Sequence, residues 1–167
     1  MCIAVALAGL ATVATAEPGP EELEIIARTL GFLTPPHGTI DIGLVYPAGS
    51  EAGRGEAERI AAAIGSRFVV DDLTLHPRLL TVDEARHAAP PVLLITRAAL
   101  PQAGTLAAAL AGQRVLTAST DLASVDARQV VVAVRAHPRI EIIVSQAAAK
   151  VAGLQFSAAF RMFVQEH

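Results

Sequence analysis

Apolar residues along this chain follow two spacings, one typical of helices and one typical of strands. Helical spacing runs from Glu21 to Leu33 and from Ala52 to Ile64, and proline or glycine follows each stretch. A third helix is predicted from Leu100 to Ala111, before Gly112. Short apolar runs separate these helices and predict strands over residues 40–46, 68–70, 91–96 and 114–118. Residues 71–87 have no clear pattern of apolar residues. With x for this unassigned stretch, the predicted order from the first strand onward is β-α-β-x-β-α-β.

Strands that alternate with helices predict a parallel sheet, because each crossover helix returns the chain to the end of the sheet at which the previous strand began. The run 91–96 is almost entirely apolar, as a strand buried on both faces requires. After residue 121 two apolar runs, 130–134 and 140–144, are joined only by Arg135 to Arg139, which is too short for a crossover helix and indicates a hairpin. We therefore predict one three-layer α/β domain, with a mostly parallel sheet, helices on both faces and an antiparallel C-terminal edge hairpin.

The end of the chain predicts two further helices. Ser145 is a good N-cap for a helix over residues 146–152, Gly153 would end it, and a second helix is predicted over residues 157–164. Core packing of this last helix and an exposed protein interface on it are alternative interpretations. The interface candidates are large apolar residues in or beside it, namely Phe156, Phe160, Met162 and Phe163.

The first residues predict export from the cytoplasm. Cys2 to Ala16 contains no charged residue and ends in Ala14-Thr15-Ala16, a small-x-small pattern that signal peptidase accepts. We expect residues 1–16 to be a cleaved signal peptide and residues 17–167 to form the mature, periplasmic domain; a buried first helix or strand is the alternative. The only cysteine, Cys2, lies in the cleaved segment, so we expect no disulfide in the mature protein.

Composition narrows the class of protein. The chain has 167 residues, a net charge of −3, 53% hydrophobic residues and 17% charged residues. These values exclude a disordered tail and favour one compact domain. Lysine and arginine are not clustered, and aromatic residues are few, so we expect neither a nucleic acid nor a membrane surface as a partner.

Polar residues follow two of the predicted strands at the edge where ligands bind in open parallel sheets. Tyr46 and Ser50 lie at the end of the first strand, and Ser119, Thr120 and Asp121 follow a later one. Together they could hold a small polar ligand, as in half of a periplasmic solute-binding protein. A flexible turn is the alternative for the loop that contains Ser50, and helix capping through Ser119 or Asp121 is the alternative for the later loop.

The other residues that could carry chemistry are scattered. No two of the five histidines have the spacing of a metal site. The chain has no nucleophile elbow, and its single lysine, Lys150, lies in a predicted surface helix. We therefore expect no catalytic residue, no metal and no cofactor.

Three segments of the C-terminal third resemble the YfiR-like family of exported proteins. They are Val115-Leu116-Thr117-Ala118-Ser119-Thr120-Asp121, the strand 130–134, and residues 140–157 with Ser145-Gln146-Ala147-Ala148-Ala149 and Gly153-Leu154-Gln155-Phe156-Ser157. Gly31-Phe32-Leu33 and Ile40 to Val45 match the family more weakly. Ser145 stands where the family usually has Asn, and Thr34-Pro35 stands where it has Trp-Pro.

The resemblance implies a regulatory role in cyclic-di-GMP signalling. Members of the family are periplasmic repressors that hold a membrane-bound diguanylate cyclase inactive through its periplasmic domain. We accordingly expect a non-enzymatic protein that binds the periplasmic part of a membrane-bound sensor or cyclase, with a homodimer as a further expectation. A small-ligand binding protein remains the alternative function.

Overall fold

A computed structural model of the chain describes residues 18–33, 38–65, 68–162 and 164–166. The predicted signal peptide and Phe163 lie outside these ranges. The described residues form one eight-stranded sheet in the order β2-β3-β1-β4-β5-β6-β7-β8. The strands are β1 Gly38–Tyr46, β2 Phe68–Val70, β3 Leu73–Thr81, β4 Val92–Ile95, β5 Leu116–Ser119, β6 Val132–Arg135, β7 Glu141–Val144 and β8 Gln165–Glu166. The helices are α1 Pro20–Gly31, α2 Glu51–Ile64, α3 Val82–His87, α4 Leu100–Ala109, α5 Ala123–Asp126, α6 Gln146–Ala152 and α7 Ala158–Arg161.

The sheet is mostly parallel, as predicted. Strands β3, β1, β4, β5 and β6 are parallel neighbours. The predicted hairpin is confirmed, because β7 pairs antiparallel with β6. The short strand β8 then pairs in parallel with the outer side of β7, and β2 pairs antiparallel with β3 at the other edge.

Two hydrophobic clusters cover the two faces of the sheet and make the three layers. All four residues of β4 are buried, and they alternate between the clusters. One cluster packs Leu23 and Ile26 of α1 and Ile60 of α2 against the sheet. The other packs Ala85 of α3 and Leu106 of α4 against the opposite face. The predicted α/β class with helices on both faces is therefore confirmed.

The stretch without a clear pattern, residues 71–87, folds as β3 followed by α3. All nine residues of β3 pair with β1, from Leu73 opposite Gly38 to Thr81 opposite Tyr46. Strand β2 covers the other side of β3 only as far as Leu75, so Pro77 occupies an edge position that needs no backbone N–H. Thr81 then caps α3 by accepting a hydrogen bond from the Glu84 backbone N–H.

Of the two predicted C-terminal helices, the first has its predicted length and the second is shorter. Helix α6 has the predicted bounds, and the Ser145 hydroxyl accepts a hydrogen bond from the Ala148 N–H at 3.2 Å. Gly153 ends it with φ 77°, a left-handed conformation that favours glycine. Helix α7 is shorter than the predicted 157–164 and covers only Ala158–Arg161.

Candidate functional site

The strand order places a topological switch point between β1 and β4. The chain leaves β1 toward β3 on one side, and it later crosses to β4 on the other side. Ligands of open α/β sheets bind at such a point, beyond the carboxyl ends of the strands. Tyr46 and Ser50, two of the predicted ligand-binding residues, lie there.

Packing of the protein's own atoms occupies part of this switch point. A Cβ atom at Gly53 would lie 2.9 Å from Pro47 Cδ and 3.0 Å from Ala98 Cβ, so α2 touches the 3-10 turn Arg97–Ala99 closely. The Ser50 hydroxyl caps α2 by accepting a hydrogen bond from the Gly53 N–H at 3.1 Å. Tyr46 is half-buried at the end of β1. Ser50 is thus engaged in helix capping, a role that was not predicted for it from the sequence.

The second predicted group follows β5 and also makes local hydrogen bonds. Ser119 is buried, and its hydroxyl accepts from the Asp121 N–H at 3.1 Å. The Asp121 carboxylate accepts from the N–H of Ala123, the first residue of α5, at 3.0 Å, and Thr120 is half-buried. Strand β4 separates β5 from β1, so the two groups belong to strands two spacings apart, or about 10 Å.

The aromatic residues near α7 form a cluster with Phe32, the residue that follows α1. The ring centroid of Phe160 lies 5.0 Å from those of Phe32 and Phe156. Phe160 is 2% exposed and belongs to the core, so core packing holds for this interface candidate. Phe32 is 39% exposed, Phe156 is half-buried, and Met162 is 82% exposed. We call Phe32, Phe156, Phe160 and Met162 the aromatic patch.

Backbone contacts hold the two parts of the aromatic patch together. Helix α1 ends with the Phe32 N–H donating to Thr29 O at 3.2 Å. The Phe32 carbonyl accepts from the Ser157 N–H at 3.4 Å, and the Ser157 hydroxyl caps α7 by accepting from the Phe160 N–H at 3.2 Å. Sequence reasoning did not select Phe32 as an interface residue. The available signal was a large aromatic side chain at the end of the predicted helix 21–33.

Charged groups concentrate at the opposite end of α1, around the β6–β7 hairpin. The Glu22 carboxylate accepts from the Gly19 N–H at 2.9 Å and from the Ala136 N–H at 3.0 Å, which ties α1 to the hairpin. Hydrogen bonds from Arg139 and then Arg135 lower the pKa of the Glu141 carboxyl. The hydrogen bond from Ala136 to Glu22 thus joins the hairpin to α1, and the two arginines pair with Glu141 within the hairpin.

Among the described residues, no three His, Cys, Asp or Glu side chains come together as a metal site. None of the described helices combines the length and apolar character needed to span a bilayer. Three cavities lined by described residues lie away from the carboxyl edge of the sheet. They are a groove of about 220 Å³ between α4 and α6, a basin of about 500 Å³ beside the end of α1, and a cavity of about 340 Å³ between the start of β1 and the segment before β4.

Comparison with protein-family models and with curated proteins finds no match to this sequence. Proteins that share an α/β fold carry out many unrelated functions, so function has to be argued from particular residues.

Proposed function

We propose that this chain is an exported regulatory protein that binds the periplasmic part of a membrane-bound signalling protein of the diguanylate cyclase type. The observation that carries the proposal is the aromatic patch, in which the buried Phe160 ring supports apolar side chains that reach solvent. On this proposal the chain acts by binding, not by catalysis.

The patch has the physical character of an interaction surface. Exposed clusters of large apolar residues on soluble proteins mark sites where another molecule binds. Phe32 is held by its stacked contact with Phe160, so it would lose little conformational entropy when a partner covers it. Met162 is 82% exposed, and its flexible, polarisable side chain can adapt to a partner's surface. An immobilised aromatic side chain and an adaptable, exposed methionine both favour a protein partner.

The type of partner comes from the family resemblance. The resembling segments, residues 115–121, 130–134 and 140–157, contribute β5, the β6–β7 hairpin and α6. They follow the order of the YfiR-like pattern, and the predicted signal peptide agrees with a periplasmic site of action. The proposal therefore includes cyclic-di-GMP signalling as its context.

A direct binding experiment tests this proposal. The mature protein is used to capture membrane proteins from its own organism, and the periplasmic domain of the recovered sensor is then purified and titrated against it. We expect Met162→Glu to weaken this binding at least about tenfold, because it places a charge on the covered surface. Met162 is largely exposed, so this variant should fold normally.

The matched control is Ile140→Glu, which introduces the same charge at another exposed apolar position. Ile140 is 67% exposed and lies beside the hairpin, where His137 contacts Glu21 of the first turn of α1 at 3.0 Å. Phe32 lies past the other end of this 12-residue helix, about 18 Å away. The control should bind like the wild type. Failure of the wild type to bind any membrane sensor domain, or equal losses in both variants, would refute the proposal.

A further inference from the structure

The basin of about 500 Å³ lies at the amino edge of the sheet, where β1, β4 and β5 begin. Its volume falls within the range of small-molecule sites, about 300–1,000 Å³. Five apolar side chains contribute to its walls, namely Leu30, Leu33, Ile40, Pro91 and Leu154. Arg114 and Gln155 supply the polar side chains.

The apolar walls favour a ligand with a hydrocarbon portion. Leu30 is 4% exposed, and Leu33, Ile40 and Leu154 are half-buried against the core cluster that contains it. A ligand tail placed among them would remove apolar surface from water on both molecules, which stabilises the complex by about 25 cal/mol for each Å².

Arg114 supplies the only charge among the described residues that line the basin. No described residue forms an ion pair or a hydrogen bond with its guanidinium group. An arginine without a carboxylate partner can bind an anionic group through two parallel hydrogen bonds. The lining therefore combines apolar walls with one available cation.

The backbone holds Arg114 in a defined position. Its φ is 59°, a left-handed conformation that is unusual for a residue with a side chain. The Arg114 N–H donates to Ala152 O at 2.9 Å, and the Gly112 N–H donates to Val151 O at 2.9 Å. These bonds fasten the turn before β5 to the end of α6. Backbone strain of this kind persists where the surrounding structure enforces it, and binding sites are a frequent location.

We propose that the basin binds amphipathic carboxylates, which have one anionic head for Arg114 and an unbranched apolar tail for the leucine-rich walls. This site lies at the opposite edge of the sheet from the polar residues selected from the sequence. The inference concerns a small molecule and is independent of the proposed protein partner.

Calorimetric titration with decanoate tests the site, and decan-1-ol serves as the uncharged ligand with the same tail. We expect saturable binding of decanoate at one site and binding of decan-1-ol that is at least about tenfold weaker. Arg114→Gln should weaken decanoate binding by a similar factor and leave decan-1-ol binding unchanged. Arg114→Gly provides a second variant whose backbone favours the same positive φ.

Arg128→Gln is the matched control, because Arg128 is also an exposed arginine with a positive φ, 55°, and it lines the groove between α4 and α6 instead. This variant should bind decanoate like the wild type. The proposal is overturned if decanoate shows no saturable binding, if both Arg114 variants bind it like the wild type, or if Arg128→Gln loses as much affinity as they do.

Discussion

Replacing Phe160 with alanine removes the ring on which the aromatic patch is built. The side chain is 2% exposed, and its ring centroid lies 5.0 Å from those of Phe32 and Phe156. The Phe32 ring stacks on Phe160 with an interplanar angle of 25°, and the Phe156 ring is tilted against it by 31°. Phe160→Ala therefore leaves a cavity in the core and removes both ring contacts.

The expected loss is large for Phe160 and smaller for Phe32. A buried phenylalanine truncated to alanine loses about 3–5 kcal/mol of unfolding free energy, of which each ring pair contributes about 0.5–1.5 kcal/mol. Phe32 has 39% of its surface exposed and makes one of the two ring pairs, so its burial stabilises the fold less. We expect Phe32→Ala to lose about 1–2 kcal/mol.

Urea denaturation followed by circular dichroism measures both losses, because the chain has no tryptophan and one tyrosine to report by fluorescence. Phe160→Leu is the intermediate variant, since it retains much of the apolar volume and loses only the ring pairs. Equal losses for Phe160→Ala and Phe32→Ala, or a loss below about 1 kcal/mol for Phe160→Ala, would refute the assignment of Phe160 to the core.

Four further predictions follow from single positions elsewhere in the fold. Gly43→Ala should lower the unfolding free energy in urea by about 1–3 kcal/mol, because its Cβ would lie 2.6 Å from a buried leucine methyl group. Gly104→Ala has no atom within 4 Å of its Cβ and should stabilise α4 instead. Glu22→Ala should lower the calorimetric melting temperature through a loss of about 2 kcal/mol, since its carboxylate accepts from the Ala136 N–H. The folded protein lowers the pKa of Glu141 below its ordinary 4.5, so its ion pairs stabilise fully above pH 4.5 and are lost as the pH falls through the lowered value. Melting temperatures measured from about pH 6 to pH 3 should therefore fall less steeply for Glu141→Gln than for the wild type.

The sequence predicted those strands and helices whose buried positions repeat at a regular spacing along the chain. Strand β4 is buried on both faces, so its residues are uniformly apolar and easy to recognise. The hairpin was recognisable for a different reason, because Arg135 to Arg139 is too short to cross the sheet. Strand β3 was missed because His76, Pro77 and Arg78 interrupt its apolar pattern. Its position is secured by pairing with β1, a contact between distant parts of the chain.

The candidate sites were harder to predict, because a residue type does not reveal which of its contacts is made. Serine and aspartate at strand ends serve equally well in local backbone hydrogen bonds and as ligand-binding groups. Here Ser50 caps α2, and Ser119 and Asp121 accept hydrogen bonds from backbone N–H groups two residues later. Phe32 stacks on Phe160, which is far away in the sequence, so its place in the aromatic patch could not be predicted from neighbouring residues. Arg114 carried no signal, since its positive φ and its place in the basin arise only from the turn against α6.

The aromatic patch and the basin adjoin at the end of α1, since Leu33 follows Phe32 and Gln155 precedes Phe156. A carboxylate in the basin would therefore lie beside two residues of the patch. If the ligand and the protein partner both bind, any effect of one on the other must be reciprocal: a factor by which decanoate changes the partner's Kd is the factor by which the partner changes the Kd of decanoate. A factor well above one would make the chain a ligand-controlled regulator, because occupation of the basin would then set the fraction of partner bound. A factor of one would mean that patch and basin bind independently despite sharing the end of α1.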